Sequence, residues 1–166
     1  MAGLLQPAAG HLAWHDGAVA DEPEAHFSRL HYVGHHDAVK PVLTVGENVQ
    51  FWARLRGGGT QLGAALDAFA IGQLADVPGR FLSAGQKRRV NLARVLAVPA
   101  TLWLLDEPTT ALDHDTIARF ERAVATHRAQ GGMVVASTHV ELALAGARVL
   151  NLADFQAAEA GDDGVS

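Results

Sequence analysis

The chain has 166 residues, 49% of them apolar, and a net charge of −5. That length holds one domain with a core of its own, and that apolar content excludes a disordered chain. The acidic balance without a long basic run argues against nucleic acid as the main partner, and the lack of any cysteine excludes disulfides, zinc–thiolate sites and thiol nucleophiles.

The first residues, "MAGLLQPAAG", carry no positive region and too short an apolar run for a signal peptide. No apolar stretch in the chain approaches the roughly 18 residues that a membrane span requires. "GHLAWHDG" alternates between glycines and predicts a strand with a turn. A second strand is expected around Leu30–Val33. Thr44 and Glu47 have the spacing of a capping box and open a helix that places Val45, Val49 and Trp52 on one face; three glycines, 57 to 59, end it. "QLGAALDAFAIGQLADV" predicts a further helix over residues 61–77. From Ser83 the order is helix, strand (Leu102–Leu105), helix (about 114–130), strand (Met133–Ser137), short helix (about 140–146) and strand (Val149–Leu152). Ile117, Phe120, Val124 and His127 share a face of the 114–130 helix, and Gly131 with Gly132 stops it. Continuous apolar strands alternating with helices imply an α/β fold, its mostly parallel sheet covered on both faces. Residues 153–166 form a polar tail.

Four stretches have the composition of functional sites. In "LSAGQ", Ser83 and Gln86 fit a capping box, which many helices have. An exposed helix N-terminus of small residues also suits an anion, with the Ser83 hydroxyl as an extra donor and Gly85 allowing close approach. In "TLWLLDEP", a buried apolar strand ends on Asp106 and Glu107, at the carboxyl edge where open α/β sheets bind ligands. One carboxylate there can hold Mg²⁺ through water and the other orient an attacking water; an acidic turn closed by Pro108 is the plain alternative. Asp113 can cap the next helix, and His139, following another apolar strand, is either a solvated histidine or a donor to a terminal phosphate.

The order and spacing of these stretches, with Asp113 seven and His139 33 residues beyond Asp106, resemble the nucleotide-binding domains of ABC transporters. "LSAGQ" is similar to their signature motif, "LWLLDE" to their Walker B strand, "TALD" to their D-loop and "STH" to their switch-histidine loop. The likeness spans about residues 30–152. It implies a P-loop NTPase-like fold with a helical subdomain over about residues 44–98, within a domain over residues 1–152. It implies ATP and Mg²⁺ as ligands. Asp106 would position Mg²⁺, Glu107 would act as general base, and His139 would contact the γ-phosphate. Ser83, Ala84, Gly85 and Gln86 would contact ATP held by the opposite subunit of a head-to-tail dimer, with Asp113 coupling the two sites. His36 stands where the family has a glutamine that touches Mg²⁺ and senses docking. "YVGHHDAVKPVLTVGENVQFW" and "QGGMVVASTH" resemble the haem-exporter ATP-binding subunits of bacterial cytochrome c maturation. That likeness implies membrane-spanning partner subunits at the cytoplasmic face of the inner membrane, docked on helices at about Val45–Leu74.

The family's phosphate loop ends in Gly-Lys-Ser/Thr, whose backbone N–H groups and lysine hold the phosphates. The lysines of this chain, Lys40 and Lys87, do not follow a glycine. "AGLLQPAAGHLAW" resembles the segment that follows the phosphate loop, so the loop and its strand would lie upstream of Met1. In the family that strand would run between Met133–Ser137 and Val149–Leu152. A buried strand contributes several apolar side chains at roughly 1.5–3 kcal/mol each, so the isolated chain is expected to aggregate or unfold in part. Two other functions fit the sequence less well. One is a degenerate module that lends "LSAGQ" to an intact ATPase subunit. The other is a metal or haem binder using the His11/His15 or His31/His35 pairs among nine histidines, which are otherwise expected on the solvated surface. The 166-residue chain alone is expected to bind Mg-ATP only weakly; micromolar affinity in a fluorescent-nucleotide titration contradicts this.

Overall fold

The computed structural model describes residues 1–57 and 61–155. Its elements run β1 (Ala13–Trp14), β2 (Gly17–Ala18), α1 (Pro23–Arg29), β3 (Leu30–Val33), α2 (Val45–Leu55), α3 (Leu62–Ala68), α4 (Ala84–Ala97), β4 (Leu102–Asp106), α5 (His114–Ala129) and β5 (Met133–Ser137), with short 3-10 turns at Gly72–Leu74, Gly79–Phe81 and Leu152–Phe155. No helix among the described residues is long and apolar enough to cross a membrane.

The predicted "GHLAWHDG" turn is the antiparallel β1–β2 hairpin. The other three strands form a parallel sheet of order β3-β4-β5. Leu30 stands opposite Leu102, which stands opposite Met133, and Asp106 is opposite Ser137. One face, with Val33, Trp103 and Leu105, packs on the helical layer through Val49, Phe120 and Val124. The other face buries Leu30, Leu102 and Leu104 against Trp14 and Ala2. Both faces thus carry buried apolar residues, the first more extensively. β5 alternates, with Val134 and Ala136 partly buried in the core while Met133 and Val135 stay exposed.

Both capping boxes form. Thr44 Oγ1 accepts from the Glu47 N–H at 3.2 Å and the Glu47 carboxylate accepts from the Thr44 N–H at 2.8 Å. Ser83 and Gln86 make the same reciprocal pair at the start of α4, at 3.2 and 2.9 Å. Each box satisfies two N–H groups that the first helical turn leaves without partners. Val45 and Val49 are buried as predicted and Trp52 partly so. The chain leaves α2 through Gly57 at φ +67°; Gly58 and Gly59 lie outside the described residues.

The outer edge of β3 is closed by arginines rather than by a strand. Carbonyls alternate sides along a strand, and those of Leu30, Tyr32 and Gly34 accept from Arg56, Arg94 and Arg88 at 2.6, 2.6 and 3.0 Å. Guanidinium groups therefore occupy acceptors that another chain's strand would otherwise pair with. Arg94 also lies over the Trp52 ring, 4.7 Å from its centroid, joining α2 to α4 and β3.

Three predicted elements differ from the structure. The helix expected over 61–77 stops at Ala68. Ala70 turns at φ +51°, the Ile71 N–H bonds the Leu66 carbonyl and the Ala70 N–H that of Asp67. This is a Schellman ending with alanine where glycine is usual. It places Ile71 and Leu66 together in the core, and that burial offsets the cost of a left-handed alanine. The helix expected at 140–146 is an irregular segment. Thr138 Oγ1 and the Glu121 carboxylate take the N–H groups of Val140 and Ala143, and Leu142 and Leu144 reach the core at a spacing of two, not of a helical turn. The strand expected at Val149–Leu152 does not form. Val149 is 96% exposed, and among the described residues no neighbouring strand offers it a ladder of hydrogen bonds. By the same measure no strand lies on the outer side of β5. Residues 156–166, most of the expected polar tail, lie outside the described residues.

The expectation of surface histidines also fails at two positions. His26 is buried, accepting from Trp14 Nε1 at 3.0 Å with its other nitrogen 3.0 Å from the Met1 carbonyl. His31 is 6% exposed and donates from Nε2 to the Val98 carbonyl at 2.7 Å. Burial pushes the His31 imidazole down from 6.5 to about 4; the Val98 carbonyl opposes this, and the charges of Arg56 and Arg94 reinforce it. Between those values the unfolded chain takes up a proton that the folded chain refuses. Stability is therefore complete above pH 6.5 and is lost as the pH falls toward 4. Lowering the pH from 7 to 5 is expected to cost roughly 2 kcal/mol through this residue. His31→Gln, which keeps a donor for Val98, should remove that component of the slope in urea unfolding followed by tryptophan fluorescence. An unchanged slope contradicts the assignment.

Candidate active site at the carboxyl end of the sheet

Parallel pairing brings the ends of β3, β4 and β5 to one rim. β4 is buried up to Leu105 and emerges at Asp106, so the first polar residues after an apolar run stand at the sheet's edge. Asp106 accepts from Ser137 Oγ, at the end of β5, at 2.6 Å. Glu107 follows in the left-handed region at φ +47°, a rare conformation for a residue with a side chain. Its N–H donates to the Ser137 carbonyl at 3.0 Å. The turn directs its carboxylate toward His139, whose Nε2 lies 3.4 Å from Glu107 Oε1. The imidazole is 95% exposed and the carboxylate 19%. Asp106, Glu107 and His139 therefore meet at one rim.

The "LSAGQ" segment forms the first turn of α4. Ser83 and Ala84 are exposed, and Gly85 and Gln86 are partly so. The structure supplies a reason for Gly85 inside the chain. A β-carbon built on it would stand 2.8 Å from the Ala111 carbonyl oxygen, and Ala111 is itself left-handed at φ +63°. Asp113 caps α5, accepting from the Thr116 N–H at 2.8 Å, and pairs with Arg89 of α4 at 2.6 Å. Thr116 chiefly, with help from Arg89, holds its carboxyl below the usual range. The starts of α4 and α5 are thus joined through Arg89–Asp113 and through the Gly85–Ala111 contact. His36 is exposed on the loop leaving β3, edge-on to His35 at 5.4 Å. No hydrogen bond or ion pair among the described residues joins it to Asp106, Glu107 or His139.

Arg88 was not singled out from the sequence, where it sits inside "QKRR". Its side chain is 4% exposed. The guanidinium donates to the carbonyls of Asp106, Glu107 and Pro108, to the Gly34 carbonyl and to the Asp37 carboxylate. Asn91, one turn further along α4, also donates to Asp37, at 3.2 Å. The signal was present in the helix register: Arg88, Asn91 and Val95 follow one another at helical spacing along the buried face of α4.

Two other features stand apart from this rim. Among the described residues no group of three or more His, Asp or Glu side chains is arranged to hold a metal by itself, and His31 of the His31/His35 pair is taken up in the core. A hollow of about 990 Å³ lies at the opposite end of the strands, lined by Thr101, Trp103, Arg119, Arg122 and His127.

The parallel sheet with helices and the acidic end of β4 define an ABC-type ATP-binding domain. Residues 1–110 match the family described as ABC transporter, and the chain belongs to that family. It is 62% identical over 153 residues to the cytochrome c biogenesis ATP-binding export protein CcmA of Rhodospirillum rubrum, covering 92% of this chain and 66% of that protein. To the protein of the same name from Paramagnetospirillum magneticum it is 57% identical over 164 residues, covering 96% and 76%. The chain thus spans about two-thirds to three-quarters of the length of these relatives. Among solved structures, the ADP- and phosphate-bound dimer of the ATP-binding cassette MJ0796 is similar, with a TM-score of 0.72 and 25% identity over 82% of this chain and 66% of that one.

Gly85→Ala should destabilise the chain by about 1–3 kcal/mol, because the added methyl meets a backbone oxygen that cannot swing away. The urea midpoint measures this without nucleotide. A neutral substitution would show that the Ala111 contact does not dictate the glycine.

Proposed function

We propose that this chain contributes to an ATP-hydrolysing subunit of an ABC-type exporter acting in cytochrome c biogenesis. The observation that carries the proposal is the approach of His139 to Glu107, 3.4 Å apart, beside Asp106 at the carboxyl end of β4. In this reading ATP is the substrate and Glu107 is the general base. Its carboxylate lies close to the sheet's edge with one exposed side, where it can accept a proton from an attacking water. His139 reaches over the same rim from β5. It orients the Glu107 carboxylate and donates to the terminal phosphate.

Asp106 and the Ser137 hydroxyl are hard oxygen donors of the kind Mg²⁺ prefers. With Asp106 as its carboxylate and, among the described residues, no group of three or more His, Asp or Glu side chains gathered for a metal, most of the ion's remaining positions would belong to water and substrate phosphate, its usual arrangement in nucleotide sites. Bound there, Mg²⁺ would neutralise phosphate charge.

The exposed first turn of α4 offers Ser83, Ala84, Gly85 and Gln86 to nucleotide held by a second nucleotide-binding subunit, packed head to tail. Asp113, paired with Arg89 of α4, ties that turn to α5 and couples the two sites. His36, on the loop leaving β3, takes the place of the glutamine that touches Mg²⁺ and senses docking, and the helices at about Val45–Leu74 would face membrane-spanning exporter subunits on the cytoplasmic side of a bacterial inner membrane. Support for the export role comes from the names of the relatives, and haem is the cargo this reading gives it.

Glu107→Gln should lower ATP hydrolysis by the native complex roughly 10²–10⁴-fold while leaving nucleotide binding close to that of the unsubstituted protein. Hydrolysis at the original rate would remove Glu107 from the role of base.

A further inference from the structure

We propose that Arg88 is a positioning residue: it sets where the Glu107 carboxylate stands and ties that position to the loop leaving β3. The proposal rests on the role given to Glu107 above. Arg88 touches no part of the rim that substrate would reach, so it acts through the backbone.

An arginine side chain has five N–H donors in a rigid planar fork. Here they meet five acceptors: the carbonyls of Asp106, Glu107, Pro108 and Gly34, and Asp37 Oδ1. Three of these are consecutive carbonyls of one chain segment. Consecutive carbonyls point apart in a strand and run nearly parallel in a helix. They converge on a single point here because the segment curls through Glu107 in the left-handed region. Glu107 is therefore held on both sides, its N–H by Ser137 of β5 and its carbonyl by Arg88. With both peptide groups fixed, the side chain leaves the backbone in a set direction, and its carboxylate stands 3.4 Å from His139 Nε2. Without the guanidinium, the carbonyls of Asp106 and Pro108 would lose this donor and that of Glu107 would keep only the Thr110 N–H at 3.2 Å, and the turn would relax toward a commoner conformation.

The same guanidinium reads the loop over residues 34–37. It takes the Gly34 carbonyl at 3.0 Å and the Asp37 carboxylate at 3.3 Å, and Asn91 holds Asp37 from the next turn of α4. A displacement of that loop therefore reaches Glu107 through one side chain. Arg88 also stands just past the Ser83–Gln86 turn on the same helix, so the first turn of α4 and the acid–imidazole pair keep a fixed spacing. Lysine cannot replace this arrangement, because its ammonium has three donors for five acceptors.

The chain has no cysteine, so a Glu107→Cys, His139→Cys pair joined by a short bifunctional thiol cross-linker, whose arms replace the reach of the two side chains, reports the geometry without background. At a fixed reagent concentration, bridging should slow by about tenfold when Arg88→Gln is added, since a short linker accepts only a narrow range of separations. Arg88→Lys should fall between. Asp37→Asn removes the charge opposite the guanidinium and leaves a weaker neutral acceptor, keeps the carbonyls of 106–108 in place and should slow the reaction about threefold, which keeps the test decisive if Arg88→Gln does not fold. Bridging rates equal to those of the unsubstituted background in Asp37→Asn and Arg88→Lys overturn the proposal. In the native complex, Arg88→Lys should lower kcat by roughly tenfold to a hundredfold with KM within about twofold; a change confined to KM contradicts positioning of the base. If the complex hydrolyses no ATP, or Glu107→Gln leaves hydrolysis intact, the role given to Glu107 fails, while the cysteine pair still decides whether Arg88 sets its place.

Discussion

The register of three parallel strands is the constraint from which the rest follows. Because β3, β4 and β5 run the same way and Asp106 pairs opposite Ser137, their carboxyl ends share one rim. Residues remote in sequence, such as Glu107 and His139, then become neighbours without a long loop to carry either. A shift of one residue in β4 would turn Trp103 and Leu105 away from the helical layer. The same shift would turn Asp106 away from Ser137. Burial of the apolar strand and placement of the carboxylates are therefore one requirement.

Arginines on the helical layer complete what the sheet begins. Arg56, Arg94 and Arg88 take alternate carbonyls along β3, closing that edge. The last of the three continues past the strand end and gathers the carbonyls of residues 106–108. Edge protection and site positioning thus use one kind of contact, and Arg88 belongs to both.

Much of this was legible in the sequence because the signals were local. Leu30–Val33 and Met133–Ser137 are short apolar runs bounded by turns, and Thr44/Glu47 and Ser83/Gln86 are capping boxes whose partners lie three residues apart. Non-local partners produced the misses. The 61–77 helix ends where burial of Ile71 forces a left-handed alanine, a position that carries no glycine to announce it. The segment after His139 gives its N–H groups to Thr138 and Glu121 in place of a helix, and Val149–Leu152 has no strand beside it. His26 and His31 look like surface residues until Trp14 and Val98 are seen to hold them. Arg88 lies in a basic run that suggests solvent, and only the fold shows that it faces inward.

The most direct test is an experimental structure of the native dimer with Mg²⁺ and a non-hydrolysable ATP analogue. The account predicts a water held by the Glu107 carboxylate at about 2.6–3.2 Å, in line with the terminal phosphorus, with His139 bonded to a γ-phosphate oxygen. It is contradicted if the nucleotide's terminal phosphate lies away from the end of β4, with Glu107 and His139 drawn apart and neither touching it.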